Sequence, residues 1–199
     1  MRRKKKIPIL VDYVFLTLPK KILKRDFSNK EFLENLRDEI LLKIQGEPTE
    51  VSEEGDIKGL LLALKIAYRV SPEMVLREKD GKRILIFNHQ PIPVLRDKAI
   101  ITKFATKERV IGEGFKRHLE IDLKKIWQRN KKEKDYLERI SNSLKEIKKK
   151  IKPAEVATII GKVPTILILL TFYLLERITG EIWYSETKEK KGVKIYEPL

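Results

Sequence analysis

Four stretches of the chain predict an α/β fold with a partly parallel sheet and a β-hairpin insertion at about residues 73–97. VATIIGKVPTILILLTFYLLERITGEIWYSE, residues 156–186, reads as strand, turn, apolar helix and strand, the repeating unit of a parallel sheet. EMVLREKDGKRILIF, residues 73–87, has the alternation and the Asp-Gly turn of a hairpin. Two earlier segments carry helical periodicity. At 199 residues the chain is long enough for one such domain, with the region near 72–97 as its only candidate sub-boundary.

In chain order, IPILVDYVFLTLP (7–19) is a nearly continuous apolar run, expected as a strand buried on both faces. SNKEFLENLRDEILLKI follows, an amphipathic helix with Ser28 and Glu31 as a capping box. The acidic GEPTEVSEEGD (46–56) has no apolar periodicity and predicts a mobile loop. Asp56 is placed to cap IKGLLLALKIAYRV, a helix apolar nearly all round and hence buried. In the hairpin, Asp80-Gly81 would form a type I′ turn. KAIITKFAT (98–106) and GFKRHLEID (114–122) are further β-like runs. The stripe Leu137, Ile140, Leu144, Ile147 and Ile151 marks a helix that polar residues 128–135 interrupt, giving two helices or one partly exposed one. GVKIYEP forms a last short strand, and no internal repeat is legible in the sequence.

Composition narrows the function classes. Without cysteine, the chain has no disulfide, thiolate metal site or thiol nucleophile. Its only imidazoles are His89 and His118, neither at a telling spacing from a partner. The charged fraction of 37% and the scarcity of thermolabile side chains point to a thermophilic source. MRRKKK is not followed by a cleavable signal pattern, and a cytoplasmic location is expected. The apolar run Val163–Leu175 falls short of the roughly 20 residues that a membrane span needs. A net charge of +15 favours polyanionic partners such as DNA, RNA or nucleotides.

The turn between strand and apolar helix is the first candidate site. Gly161 allows close backbone approach, Lys162 supplies a cation, and Thr165 a hydroxyl beside the free N–H groups of a helix start. That arrangement suits phosphate, although it is neither a P-loop nor a dinucleotide fingerprint, and an ordinary turn with Lys162 in water competes with it.

SLKEIKKKIKPAEVATIIGKVPTILILLTFYLLERITGEIWYSE, with DKAIITKFATKE before it, resembles the CARF (CRISPR-associated Rossmann fold) domain over roughly residues 98–186. GKVPT is similar to that family's phosphate loop, and Thr106 and Lys107 to a Thr-Lys turn after an earlier strand. The resemblance implies a Rossmann-like fold, a homodimer and a cyclic oligoadenylate across the dimer axis, in antiviral defence. Some members sense the ligand and others, the ring nucleases, cleave it. Carried over residue by residue, it gives Gly161, Lys162, Thr165, Thr106 and Lys107 as phosphate-binding residues. In a cleaving version Lys162 would be catalytic, stabilising charge on the phosphate as the ribose 2′-OH attacks, with neither metal nor cofactor.

Other constellations are weaker. Glu120 and Asp122 share a strand face where a metal could sit, but solvent-facing alternation explains them more simply. Asp12, in an apolar strand, could be the first acid of a metal nuclease, though the polar continuation such a site needs is absent. Lys124, Lys125, Arg129, Lys131 and Lys132 form a basic face near Trp127 and Tyr136, suited to nucleic acid, with Trp127 itself expected in the core. Beside the nucleotide reading stand two others: a non-catalytic DNA- or RNA-binding protein, and an interaction subunit of a nucleoprotein complex docking through the helix at 123–151.

Overall fold

The computed structural model describes residues 13–89, 99–100, 117–130, 134–189 and 192–198. The chain is an α/β fold with two mostly parallel sheets. The first half runs β1 (Val14–Leu16), α1 (Lys24–Phe27), α2 (Lys30–Ile44), β2 (Thr49–Ser52), α3 (Ile57–Val70), β3 (Glu73–Arg77) and β4 (Arg83–Asn88). A two-residue β5 (Ala99–Ile100) adds to β4. The second half runs β6 (His118–Asp122), α4 (Leu123–Arg129), α5 (Tyr136–Lys150), β7 (Ala154–Ile160), α6 (Thr165–Leu175), β8 (Thr179–Ser185) and β9 (Val193–Ile195).

The two halves have the same topology. In each, three strands lie side by side in parallel in sequence order, two helices join the first pair and one helix the second, and an antiparallel strand closes the group. A repeat hidden from the sequence is therefore present in the fold. The hairpin expected at 73–87 exists, and its first strand is the third parallel strand of the first sheet. Because strand order never reverses within a half, right-handed crossovers put all its helices on one face of its sheet.

Helices α3 and α6 are where the halves meet. Helix α3 packs on β3 of its own sheet and also on α6 and β9; α6 packs on β7 and β8 and also on α3 and β4. Eight of the fourteen residues of α3 and nine of the eleven of α6 are buried. Counting from the N-caps Asp56 and Pro164, Lys65 and Tyr173 occupy the same ninth position, and Tyr68 and Glu176 the same twelfth. Two side-chain contacts at this junction exchange under that correspondence: Lys65 Nζ lies 2.5 Å from Glu176 Oε1, and the Tyr68 and Tyr173 rings are 5.7 Å apart. This is an approximate internal twofold. Phe87 stacks on Tyr173 at 5.7 Å, and His89 bonds the Tyr68 carbonyl at 2.9 Å, extending the aromatic seam.

Several local expectations need correction. The residues 46–56 are not all loop: Thr49–Ser52 is β2, a central strand with parallel neighbours on both sides. Its polar letters hide it. Thr49 bonds the Ser71 hydroxyl at 3.1 Å, and Glu50, only 3% exposed, lies against Arg77 at 3.2 Å and Arg83 at 2.8 Å. The Arg77 contact is electrostatic, lacking hydrogen-bond alignment at Oε1. The same arginines cover Phe15 and Tyr13 of the chain at β1, 4.4 and 5.3 Å from the ring centres. Strand β1 is an edge among the described residues, and its Phe15 is 40% exposed rather than buried.

The α2 cap is Asn29, whose side chain accepts from Glu31 N and Phe32 N; Ser28 instead ends the short α1. Asp56 caps α3 as expected, accepting from Lys58 N at 2.9 Å. In the hairpin only Gly81 has positive φ, at 84°, and Gly81 N bonds Glu78 O while Glu78 N bonds Lys82 O. That is a three-residue loop with a glycine bulge, not a type I′ turn. The polar break near 130 separates two helices, α4 and α5.

Glu50 offers a test of how this sheet tolerates a buried charge. Removing both arginines (Arg77→Ala with Arg83→Ala) strands the carboxylate and should cost about 3–5 kcal/mol. Glu50→Val should cost much less, because Arg77 and Arg83 are already 43% and 36% exposed and can turn to water. Urea unfolding of the three proteins at neutral pH measures the difference.

Candidate phosphate-binding edge

The carboxyl ends of the parallel strands carry the candidate residues. Strand β7 ends at Ile160, and Gly161 turns the chain with φ of 132°. A Cβ there would sit 3.0 Å from the backbone nitrogen of Lys124, so the glycine lets the β7–α6 turn close on the start of α4. Gly161 N donates to Ser185 O at 3.0 Å, tying the turn to the end of β8. Tyr184 Oη donates to Gly161 O at a long 3.4 Å. Burial, then the nearby carboxylates of Glu186 and Asp56, push this phenol up to about 12. Asp56, at the start of α3, is thus near enough to this phenol to act on it electrostatically.

Pro164 stands at the N-cap of α6, outside the first turn, and no side chain caps that helix. Thr165 is its first residue, half-buried, and Lys162 is exposed. The first half fills the equivalent place itself: the Asp56 carboxylate accepts from Lys58 N and from Ile22 N, both at helix or loop starts.

Charge divides the two halves at this edge. In the second half each parallel strand is followed within three residues by an exposed lysine: Lys124 after β6, Lys162 after β7, Lys188 after β8. Lys188 lies 3.5 Å from Asp122, which also caps α4 through Lys125 N. After β2 and β3 of the first half come Glu53, Glu54, Asp56, Glu78 and Asp80. Burial raises the Glu78 carboxyl; the Tyr136 hydroxyl bonded to it pulls the other way, and neighbouring Glu53 and Asp80 add to the rise.

The structure thus brings Gly161, Lys162 and Thr165 together with Lys124, which the sequence had assigned to a separate basic face. Lys125 and Arg129 are exposed on α4. Thr106, Lys107, Lys131 and Lys132 lie outside the described residues, as does Asp12. Lys188 was missed, because only the topology shows that the end of β8 shares an edge with the ends of β6 and β7.

Of the remaining candidates, Asp122, His118 and Trp127 have structural partners. Glu120 and Asp122 do share a face of β6, yet among the described residues no three His, Asp or Glu side chains gather as a metal site. His118 lies 2.8 Å from Thr158 Oγ1. Trp127 is half-buried, edge-on to Tyr136 at 6.1 Å, so only part of it belongs to the core. Among the described residues no helix is long and apolar enough to cross a membrane.

Gly161→Ala tests the closeness of the turn. With an unfavourable φ and a contact that only a backbone shift relieves, it should cost about 2–3 kcal/mol in thermal or denaturant unfolding. Gly46→Ala, at φ of 78° but with nothing within 4 Å of its Cβ, should cost less.

No family model, curated protein or solved structure matches the chain.

Proposed function

We propose that the protein binds a nucleotide or small oligonucleotide by its phosphates at the Gly161–Thr165 turn, in the sharpest form as a cyclic oligoadenylate sensor or ring nuclease of antiviral defence. The observation that carries this reading is the row of lysines, Lys124, Lys162 and Lys188, behind the three parallel strands of the second sheet. Ligands of open parallel sheets bind beyond the carboxyl ends of the strands, where helix N-termini also point. A reversal of strand order normally opens the crevice for them; here strand order does not reverse within either half, and the ligand would lie over the strand ends themselves. A phosphate at this edge meets Lys162 and Lys124, with the uncapped start of α6 contributing N–H groups.

The CARF resemblance supports a twofold frame for such a ligand. Two chains would supply that frame in a homodimer, each bringing its own Gly161–Thr165 turn, since the acidic residues after β2 and β3 do not repeat that turn in the first half. If the protein cleaves its ligand, Lys162 is the group to stabilise charge on the phosphate, with the 2′-OH as attacking atom.

The net charge of +15 and the exposed Lys124, Lys125 and Arg129 favour a second reading, non-specific binding of DNA or RNA. Salt separates the two. Labelled cyclic tetra- and hexaadenylate are titrated beside a linear single-stranded RNA at about 50 and 500 mM salt. The compact site predicts ring binding that salt weakens by less than tenfold and that Lys162→Ala weakens by about tenfold or more. Binding of the linear strand alone, falling about a thousandfold over the same range, would leave the basic-surface reading in its place.

A further inference from the structure

A groove of about 160 Å³ runs between strand β6 and helices α4 and α5. Four consecutive residues of the strand, 119–122, line it. Side chains alternate in face along a strand, so a groove that meets four in a row lies along the strand's edge. That edge is open. Strand β6 ends its sheet, and among the described residues only β7 pairs with it, leaving the backbone groups of its outer side unmatched.

The local sequence supplies the floor and the rim. Asp122 caps α4, so the helix starts where the strand ends and packs on β7 and α5. Its Ile126 is buried, while Lys125 and Arg129, four residues apart, stand exposed on one stripe. The last turn of α5 adds buried Ile147 and, three residues on, exposed Lys150. The floor is thus aliphatic, completed by Leu119 and Ile121, and its rim is cationic. Among the described residues the side chains of Lys125, Arg129 and Lys150 make no ion pair. Of the two carboxylates present, Asp122 is already matched by Lys188 at 3.5 Å, which leaves Glu120 alone against three cations. The groove shares no lining residue with the Gly161–Thr165 turn.

We propose that this groove docks an acidic segment of another protein, added as a strand along β6. The segment's main chain would pair with the open edge, an apolar side chain would lie on the isoleucine floor, and its carboxylates would meet the three cations. The volume is below the roughly 300–1,000 Å³ of sites that enclose a small molecule, and it suits side chains of a segment lying across it. No aromatic ring lines the groove, so the bases of a nucleic acid find nothing to stack on. A second copy of this chain brings its own charge of +15, which opposes self-association through a basic surface.

Labelled peptides of about seven residues, enough to span β6, are built from Asp, Glu, Val and Ile in varied order and titrated against the full chain by fluorescence anisotropy. The best should bind more tightly than about 100 μM. Lys125→Ala, Arg129→Ala and Lys150→Ala together, all at exposed positions, should weaken it about tenfold or more. N-methylation of its backbone should weaken it to a similar extent, because the edge pairing is lost, whereas Lys162→Ala should leave it unaffected. The proposal is overturned if no peptide reaches that affinity, or if binding survives either the triple substitution or N-methylation. Displacement of the peptide by a linear single-stranded RNA that binds at least tenfold more tightly gives the groove to nucleic acid. A dimer in sedimentation that the triple substitution dissociates gives it to a second copy. Either result also overturns the proposal.

Discussion

Helices α3 and α6 have no face to offer to water, and the rest of the structure is arranged around that constraint. A helix that is apolar on one side can lie on a sheet with its other side exposed. Here Leu60, Leu61, Leu62, Leu64 and Ile66 of α3 are all essentially without exposure, as are Leu167, Leu169 and Phe172 of α6. A single half could cover only the side of its helix that lies on its own sheet. Each fully exposed Leu or Phe on the other side would forgo about 1.5–3 kcal/mol of burial. Pairing the halves removes the deficit, since each helix is roofed by the other and by the antiparallel strand, β9 or β4, of the opposite half. The same seam carries Lys65–Glu176 and the Tyr68–Tyr173–Phe87 rings, so polar and aromatic contacts fix how the two apolar surfaces register.

A duplicated architecture held in one chain is free to differ between its halves, and the carboxyl edge shows that freedom. A homodimer would be bound to repeat every side chain at both turns. In this chain the start of α3 is closed by its own Asp56, among Glu53, Glu54, Glu78 and Asp80, whereas the start of α6 lies open among Lys124, Lys162 and Lys188. An anion approaching this edge meets attraction on one side and repulsion on the other. Across several ångströms that difference would set both where an anion settles and how it is oriented.

The sequence announced the parts of the fold that its apolar residues encode. Strand, turn, helix and strand over 154–185 were legible because the burial there is continuous, and so was α3 with its Asp56 cap. Strand β2 was not legible, since Thr49, Glu50 and Ser52 look like loop residues until Arg77, Arg83 and Ser71 arrive from 20 or more residues away. The repeat escaped for a related reason. Its two copies share topology and the apolar character of one helix, while their caps, charges and helix lengths differ. At the site, Gly161, Lys162 and Thr165 could be found from local spacing. Lys124 and Lys188 could not be joined to them, because the ends of three strands become neighbours only when the sheet forms.

A cleft beside α1 follows from the same junction. A sheet whose strands march in one direction leaves its last strand as an edge, and here that edge, β9, comes against the other half. Where α3 meets β9 the two surfaces are in contact, and Ile195 is 2% exposed. Where a four-residue helix meets a hairpin carrying Trp183 and Tyr196, the shapes do not fill the space between them.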